Sequence, residues 1–247
     1  MQHTAYEDFA LYELKRWQVE MLQSPSFFNH LSKKVQVKLN TYIPEKIHQA
    51  ITTTIKQMIR AVLFGAEKFT RTSPQYTSLL EKETMVLARI AFYKRTAAAE
   101  GGVTGAGGFL LSLADFPLLL SLKLKMLFEI AAMYGYNADD YRERVYLLHI
   151  FQLAFSSHEH RKQVYLQMVD WETQKHQLPE DIHQFDWRSF QQEYRDYIDL
   201  EKMAQLIPII GAPIGAVVNY RLLKKLGIYA MNAYRMRWKD SLNQKQL

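Results

Sequence analysis

An all-α fold is predicted by three observations. Apolar residues recur at three-to-four spacing through most of the 247-residue chain. Helix-start and helix-stop residues punctuate that spacing. No stretch alternates polar and apolar residues with the period of two that a half-buried strand needs. Short connections favour antiparallel neighbours, so the expected architecture is a multi-helix bundle forming a single domain over residues 1–247. A chain with 48% hydrophobic residues is long enough to bury a sizeable core in such a domain.

The first helix runs from about Tyr6 to Leu22. Phe9, Leu11, Leu14, Trp17, Met21 and Leu22 supply its apolar positions, and Glu7 and Asp8 sit in the first turn, where they complement the helix dipole. Ser24-Pro25 ends it. Phe27 to Tyr42 and Pro44 to Phe69 read as two further helices, with Pro44 an early residue of the second. Arg71-Thr-Ser-Pro74 is a turn, and a long helix from about Tyr76 through Ala99 then leads into a glycine cluster. Phe116 to Tyr134 is helical again, with Asp115 as N-cap, Pro117 tolerated in the first turn and Gly135 closing the C-terminus in the left-handed region. Helices from roughly Asp139 to Phe155 and from Glu159 to about His176 follow. A polar loop at Gln177 to Phe185 precedes a charged helix from Trp187 to Ala204. Leu206 to Trp238 carries a second glycine-containing apolar segment that passes into a basic end.

Five of the ten glycines fall between Gly101 and Gly108. Glycine costs roughly 1 kcal/mol per helical residue relative to alanine, so the cluster calls for close backbone packing, unusual backbone angles or a bound ligand. Counting in fours puts Ala97, Gly101 and Gly105 on one line, with Ala98, Gly102 and Ala106 on the next. Gly211 and Gly215 likewise run beside Ala212 and Ala216. Small residues at that spacing flatten a helix face, so the expectation is two glycine-zipper-like apolar helical segments packed against each other near the centre of the fold. A phosphate-binding loop does not fit, because the Lys-Ser/Thr of a P-loop, a preceding strand and a βαβ unit are all missing.

Val103 to Leu122 has the ~20-residue length of a membrane span. Its seven leucines contribute roughly −0.3 to −0.6 kcal/mol each, but Asp115 near the middle costs about +2.5 to +3.5 kcal/mol. Stable spanning is not expected, whereas shallow insertion or a buried hairpin stays open. The formal net charge of +6 gathers at the C-terminal end, where Arg221, Lys224, Lys225, Arg235, Arg237, Lys239 and Lys245 face Asp240 as the one acid after Tyr220. With the apolar run before it and Trp238 inside it, this end reads as an interfacial helix for anionic lipid, against the plainer reading of a solvated terminal helix. Nucleic acid is the weaker partner, since neither a helix-turn-helix spacing nor a sheet with stacking residues is present.

The absence of cysteine removes disulfides, thiol nucleophiles and cysteine-ligated metals, and leaves a reducing cytoplasm as the default compartment. Acids and an amphipathic spacing occupy the first 22 residues where an export signal needs basic residues and then an apolar stretch, so none is expected. No catalytic constellation stands out. Asp115, inside an apolar run, and Glu100, just before the glycines, are the carboxylates that a shared pocket would turn into an acid and a base, while capping alone suffices for Asp115. His158-Glu159-His160 splays its imidazoles at i and i+2, where a zinc HExxH pair needs them four apart; His149, His176 and His183 could join only through the fold. No metal or cofactor is expected. Asn219 and Arg221, in an otherwise apolar helix, either satisfy buried polar groups or bind a head group.

Taken in order from about Tyr76 to Trp238, the stretches EGGVTGAGGFLLSLADFP, IAAMYGY, IPIIGAPIGAVVNYRLLKKLG and AMNAYRMRW resemble the EcsC family of bacterial proteins. The resemblance marks Glu100, Gly101, Gly102, Gly105, Gly108, Asp115, Pro117, Tyr134, Gly135, Pro208, Gly211, Gly215, Asn219, Gly227, Tyr234 and Arg235 as motif residues, without attaching a catalytic role to any. It implies an accessory protein at the cytoplasmic face of the membrane, linked to an ABC transporter and to protein secretion and its regulation. The alternative is an enzyme acting on a lipid or peptide through Asp115 or Glu100 in a pocket under the glycine-rich segment.

Overall fold

Nine α-helices appear among the residues described by the computed structural model, which are 4–23, 45–64, 76, 78–106, 116–156, 158–197 and 212–244. They are α1 (Ala5–Leu22), α2 (Glu45–Phe64), α3 (Leu79–Ala106), α4 (Phe116–Tyr134), α5 (Tyr141–Phe155), α6 (His158–Val169), the single turn α7 (Trp171–Gln174), α8 (Trp187–Tyr197) and α9 (Ala212–Gln244). No β-strand occurs among them, as the periodicity predicts.

Side chains that capture the free N–H groups of a first turn start at least four of these helices, Asp186 accepting from the Ser189 N–H ahead of α8 among them. The Thr4 hydroxyl accepts from the Glu7 N–H at 3.3 Å while the Glu7 carboxylate accepts from the Thr4 N–H at 2.8 Å, a reciprocal box that opens α1. Ser78 and Glu81 form the same box ahead of α3. The Asp140 carboxylate accepts from the Arg142 N–H at 2.9 Å ahead of α5. At the end of α4, Gly135 sits at φ +94°, and the N–H groups of Gly135 and Tyr136 donate to the Ala132 and Ala131 carbonyls, both at 3.0 Å. That left-handed closure is the one expected from the sequence.

Other boundaries extend the sequence reading or differ from it. The α3 helix continues through Gly101, Gly102 and Gly105 to Ala106, and α9 runs unbroken through Gly227. The helix expected over Glu159–His176 breaks at Asp170 (φ −116°, ψ 45°), and the break swings Trp171 against Tyr146 and His149 at ring-centroid separations of 5.1 and 5.8 Å. Along α1 the buried line is Ala10, Leu14, Trp17 and Met21, a four-three-four spacing that leaves Phe9 and Leu22 outside it. The helix expected over Phe27–Tyr42 and the positions of Gly108, Asp115, Pro208 and Gly211 lie outside the described residues.

The core is organised on α9. Arg235 meets Glu83, Gly227 meets Ile90 and Tyr220 meets Lys94, so α3 runs antiparallel along it. A Cβ at Gly227 would lie 2.6–2.9 Å from three side-chain atoms of Ile90, so this approach requires glycine. Tyr134 against Glu83 and Glu129 against Arg89 place α4 antiparallel to α3, hence parallel to α9. Across the other side, Glu143 pairs with Arg237, the Tyr146 hydroxyl donates to the Ala233 carbonyl at 2.8 Å and the Lys225 ammonium donates to the Ala154 carbonyl at 2.6 Å, so α5 is antiparallel to α9 as well. The α1 helix covers the C-terminal half of α9 through Trp17, whose ring packs edge-on against Tyr229 and Tyr165. Among the described residues, no helix is long and apolar enough to cross a membrane.

Candidate functional site

The C-terminal half of α9 carries two arginines inside the core, and each draws acids to itself from other helices. A guanidinium cannot shed its proton at any ordinary pH, so burying it requires a matched carboxylate. Arg235 donates through Nε and Nη2 to the two oxygens of Glu83 at 2.7 and 2.6 Å. The same wholly buried carboxylate also accepts from the Tyr6 hydroxyl at 2.6 Å and the Tyr134 hydroxyl at 2.8 Å. Two residues on, Arg237 donates through Nη1 to Glu143 and through Nε to Glu172, both at 2.6 Å. Glu143 takes a further hydrogen bond of 2.6 Å from the Tyr234 hydroxyl, and Glu172 takes one from Lys175.

Aromatic rings join the two pairs. Tyr234 stacks with both Tyr134 and Tyr136 at centroid separations of 5.2 and 5.1 Å, and the Arg237 guanidinium lies 3.6 Å from the Tyr136 centroid and 4.8 Å from that of Tyr146. A cation held over ring faces and out of water gains more than it would at the surface. Tyr134 and Tyr136 both come from the end of α4, where the Gly135 turn brings both rings against Tyr234.

Electrostatics keeps the phenols and guanidiniums of the cluster protonated. Burial and the neighbouring Glu83 carboxylate push the Tyr134 hydroxyl well above its usual range, burial pushes Tyr6 and Tyr136 up to about 12, and Tyr146 and Tyr234 rise as well. The phenols therefore stay protonated, and those of Tyr6, Tyr134, Tyr146 and Tyr234 act as donors. Burial raises the Glu143 carboxyl, while Arg237 and the Tyr234 hydroxyl pull it back. Burial works against the charges of Arg235 and Arg237, yet Glu83 and Glu143 hold both guanidinium groups above their ordinary values. Three carboxylates face three cations here, and all are engaged. The cluster ties α1, α3, α4, α5, α7 and α9 together, and it offers neither an unpaired base nor an ionisable nucleophile.

The residues singled out from sequence fall in different places. Arg235 and Arg237, expected among the cations available to anionic lipid, are instead buried in ion pairs, because α1, α4 and α5 close over that half of α9. Lys225 is turned inward to the Ala154 carbonyl and the Tyr229 ring. Arg221, Lys224 and Lys239 are exposed. Tyr134 belongs to the buried cluster, Pro117 is exposed in the first turn of α4, and Glu100, Gly101, Gly102 and Gly105 lie on the last two turns of α3, with Gly215 on the first turn of α9. Asn219 is buried, and neither its amide nitrogen nor its oxygen has a hydrogen-bond partner. The backbone register puts it level with the wholly buried Lys123 of α4, since Lys94 is opposite Tyr220 and the α3/α4 pairing carries Lys123 to the same level. Among the histidines, His176 and His183 are exposed, while His149 is buried between Trp171 and Phe190 with Nδ1 3.2 Å from the Gln152 side-chain oxygen. No cluster of three metal-ligating side chains occurs among the described residues.

Glu83, Glu143, Glu172, Tyr6, Tyr136 and Tyr146 do not emerge from the sequence alone. One signal was present: Arg235 and Arg237 interrupt the run AMNAYRMRW, and buried guanidiniums there need acids elsewhere in the chain. Which acids answer them depends on the tertiary packing.

Comparison with known proteins places these features in a family. Residues 9–238 match the family model described as the EcsC protein family. The chain is 45% identical over 226 residues to Protein EcsC of Bacillus subtilis (strain 168), covering 91% of this chain and 93% of that protein. It is 25% identical over 248 aligned residues to the uncharacterized protein YdbA of the same organism, covering 92% of this chain and 90% of that protein. No solved structure matches. The helical chain built on α9, with the motif residues Tyr134, Asn219, Tyr234 and Arg235 in its core, belongs to the EcsC protein family.

Proposed function

We propose that the chain is a single-domain accessory protein that works at the cytoplasmic face of the membrane by docking, in association with an ABC transporter and protein secretion, rather than by catalysis. The observation that supports this reading is where charge is left over. The buried cluster is self-neutralised, with Glu83, Glu143 and Glu172 against Arg235, Arg237 and Lys175. The formal net charge of +6 therefore falls on the rest of the chain, including exposed cations such as Arg221 and Lys224. An excess of surface cations suits the anionic inner leaflet, and the attraction should fade as salt screens it. Sedimentation of the purified chain with vesicles, with and without anionic lipid and across a salt series, tests the proposal. Binding that requires anionic lipid and weakens with salt is expected; a chain that stays in the supernatant throughout rejects it.

The same reading includes the packing of the two glycine-rich segments against each other. Continuing the antiparallel register of α3 and α9 beyond Lys94 and Tyr220 brings Gly101 level with Gly215, so the small residues of the two helices would meet at that end of the pair.

A second reading is favoured by Asn219. A buried carboxamide with neither atom partnered costs stability, and such groups persist where a ligand completes them. It lies level with Ala97, one turn of α3 before Glu100 and Gly101. An enzyme acting on a lipid or peptide through Glu100 or Asp115 would use that end of the core. Native mass spectrometry of the purified chain tests this reading: a retained lipid or peptide that Asn219→Leu releases supports it, and a chain that carries nothing rejects it.

A further inference from the structure

We infer that the exposed flank of the α3/α9 pair, formed by Leu87 and Lys94 of α3 with Val217, Tyr220, Arg221 and Lys224 of α9, is the surface that seats on an anionic lipid bilayer. The inference rests on the membrane reading above and assigns it to one face. The seam between the helices is marked by Gly227 against Ile90, and the Lys94 ammonium, 4.7 Å from the Tyr220 ring centroid, fixes one side of that seam. Leu87 lies two turns before Lys94 on α3, and Val217 and Lys224 lie three residues before and four after Tyr220 on α9, so helical periodicity puts them on the same side. The opposite side is occupied by α4, through Arg89 with Glu129 and the Lys82 ammonium with the Tyr134 carbonyl.

The exposed side combines two chemistries. Leu87 and Val217 are each 50% exposed and Tyr220 is 39% exposed, beside the exposed Arg221 and Lys224. The stretches Thr84–Ala99 of α3 and Ala212–Lys239 of α9 contribute cations and no acid to this flank, with Glu100 following at the end of the first. Apolar and tyrosyl side chains among cations match a bilayer surface, where the cations meet lipid phosphates and the apolar groups reach the acyl boundary. A second copy of the chain would set like charges face to face. An acidic protein would answer the cations without drawing Leu87 and Val217 out of water.

The absence of cysteine permits a direct test. Val217→Cys carrying an environment-sensitive fluorophore is mixed with vesicles of phosphatidylcholine alone or with phosphatidylglycerol; Leu166→Cys, exposed on α6 outside the flank, carries the same label. The expected result is a blue shift at position 217 only with phosphatidylglycerol and none at position 166. Arg221→Gln with Lys224→Gln should weaken sedimentation with the anionic vesicles about thirtyfold, roughly fivefold per cation, whereas the equal charge change Lys15→Gln with Lys162→Gln leaves it near the unsubstituted value. Thermal unfolding that matches the unsubstituted chain shows each variant folded. Vesicle binding with a shift at 166 but not at 217 overturns this face and leaves the membrane reading standing; no binding by the unsubstituted chain overturns both. A shift at 217 that grows with protein concentration without lipid would mean self-association and also overturns the inference.

Discussion

The two ends of the α3/α9 pair use the same residue types in opposite ways. Where α9 ends, Arg235 and Arg237 are enclosed by α1, α4, α5 and α7, and each is matched by carboxylates at 2.6–2.7 Å. Toward the start of α9, Arg221 and Lys224 face outward, no ion pair with an acid is formed by either among the described residues, and Asn219 is buried with an unanswered amide. The difference lies in the layers around the pair rather than in α9 itself. A cation under a covering helix must recruit an acid, and a cation without one keeps its field for a partner.

The largest expected effect comes from breaking the closed end. Glu83→Ala or Arg235→Ala should each cost about 3–5 kcal/mol in denaturant unfolding, because each strands an uncompensated buried charge. Glu83→Leu combined with Arg235→Met should cost less than the two single changes added together, because neither charge then remains. At the seam between the ends, Gly227→Ala is expected to destabilise by about 1–3 kcal/mol, with part of the loss recovered in an Ile90→Ala background; an unchanged unfolding midpoint would mean the helices do not meet as closely as 2.6 Å implies.

The open end should respond in the other direction. Asn219→Leu removes a polar group without a partner, and a gain of about 1–3 kcal/mol in the purified chain is expected. A loss would show that the amide is answered in solution. For the buried His149, burial lowers the imidazole pKa below its ordinary value, so the unfolded chain binds a proton that the folded chain refuses. Stability should accordingly fall as pH drops below about 6.5, with a slope of at most ~1.4 kcal/mol per pH unit that His149→Phe abolishes. The smallest effect sharpens the comparison most: Arg221→Gln and Lys224→Gln should change stability by no more than about 0.5 kcal/mol each, against the several kcal/mol for Arg235 on the same helix.

Much of the helical framework was legible from residues alone, because capping and hydrophobic spacing act within a few residues of chain. The pattern around Phe116–Tyr134 located α4 and its left-handed Gly135 closure, and the helix expected from roughly Asp139 to Phe155 is α5, begun two residues later at Tyr141. The helix expected to enter the glycine cluster continues through Gly101–Gly105, and at Gly227 close packing against Ile90 outweighs a local cost of roughly 1 kcal/mol for helical glycine. The sequence also located the motif that carries Tyr134, Asn219, Tyr234 and Arg235, and the family they mark. What the tertiary structure alone decided is the fate of each charge. Glu83 and Arg235 are 152 residues apart in sequence and 2.6 Å apart in space, and only the packing of α1 and α4 over them makes that ion pair buried while Arg221, fourteen residues earlier on the same helix, stays in water. Helix formation is set by neighbours along the chain; the dielectric around a charge is set by neighbours through space.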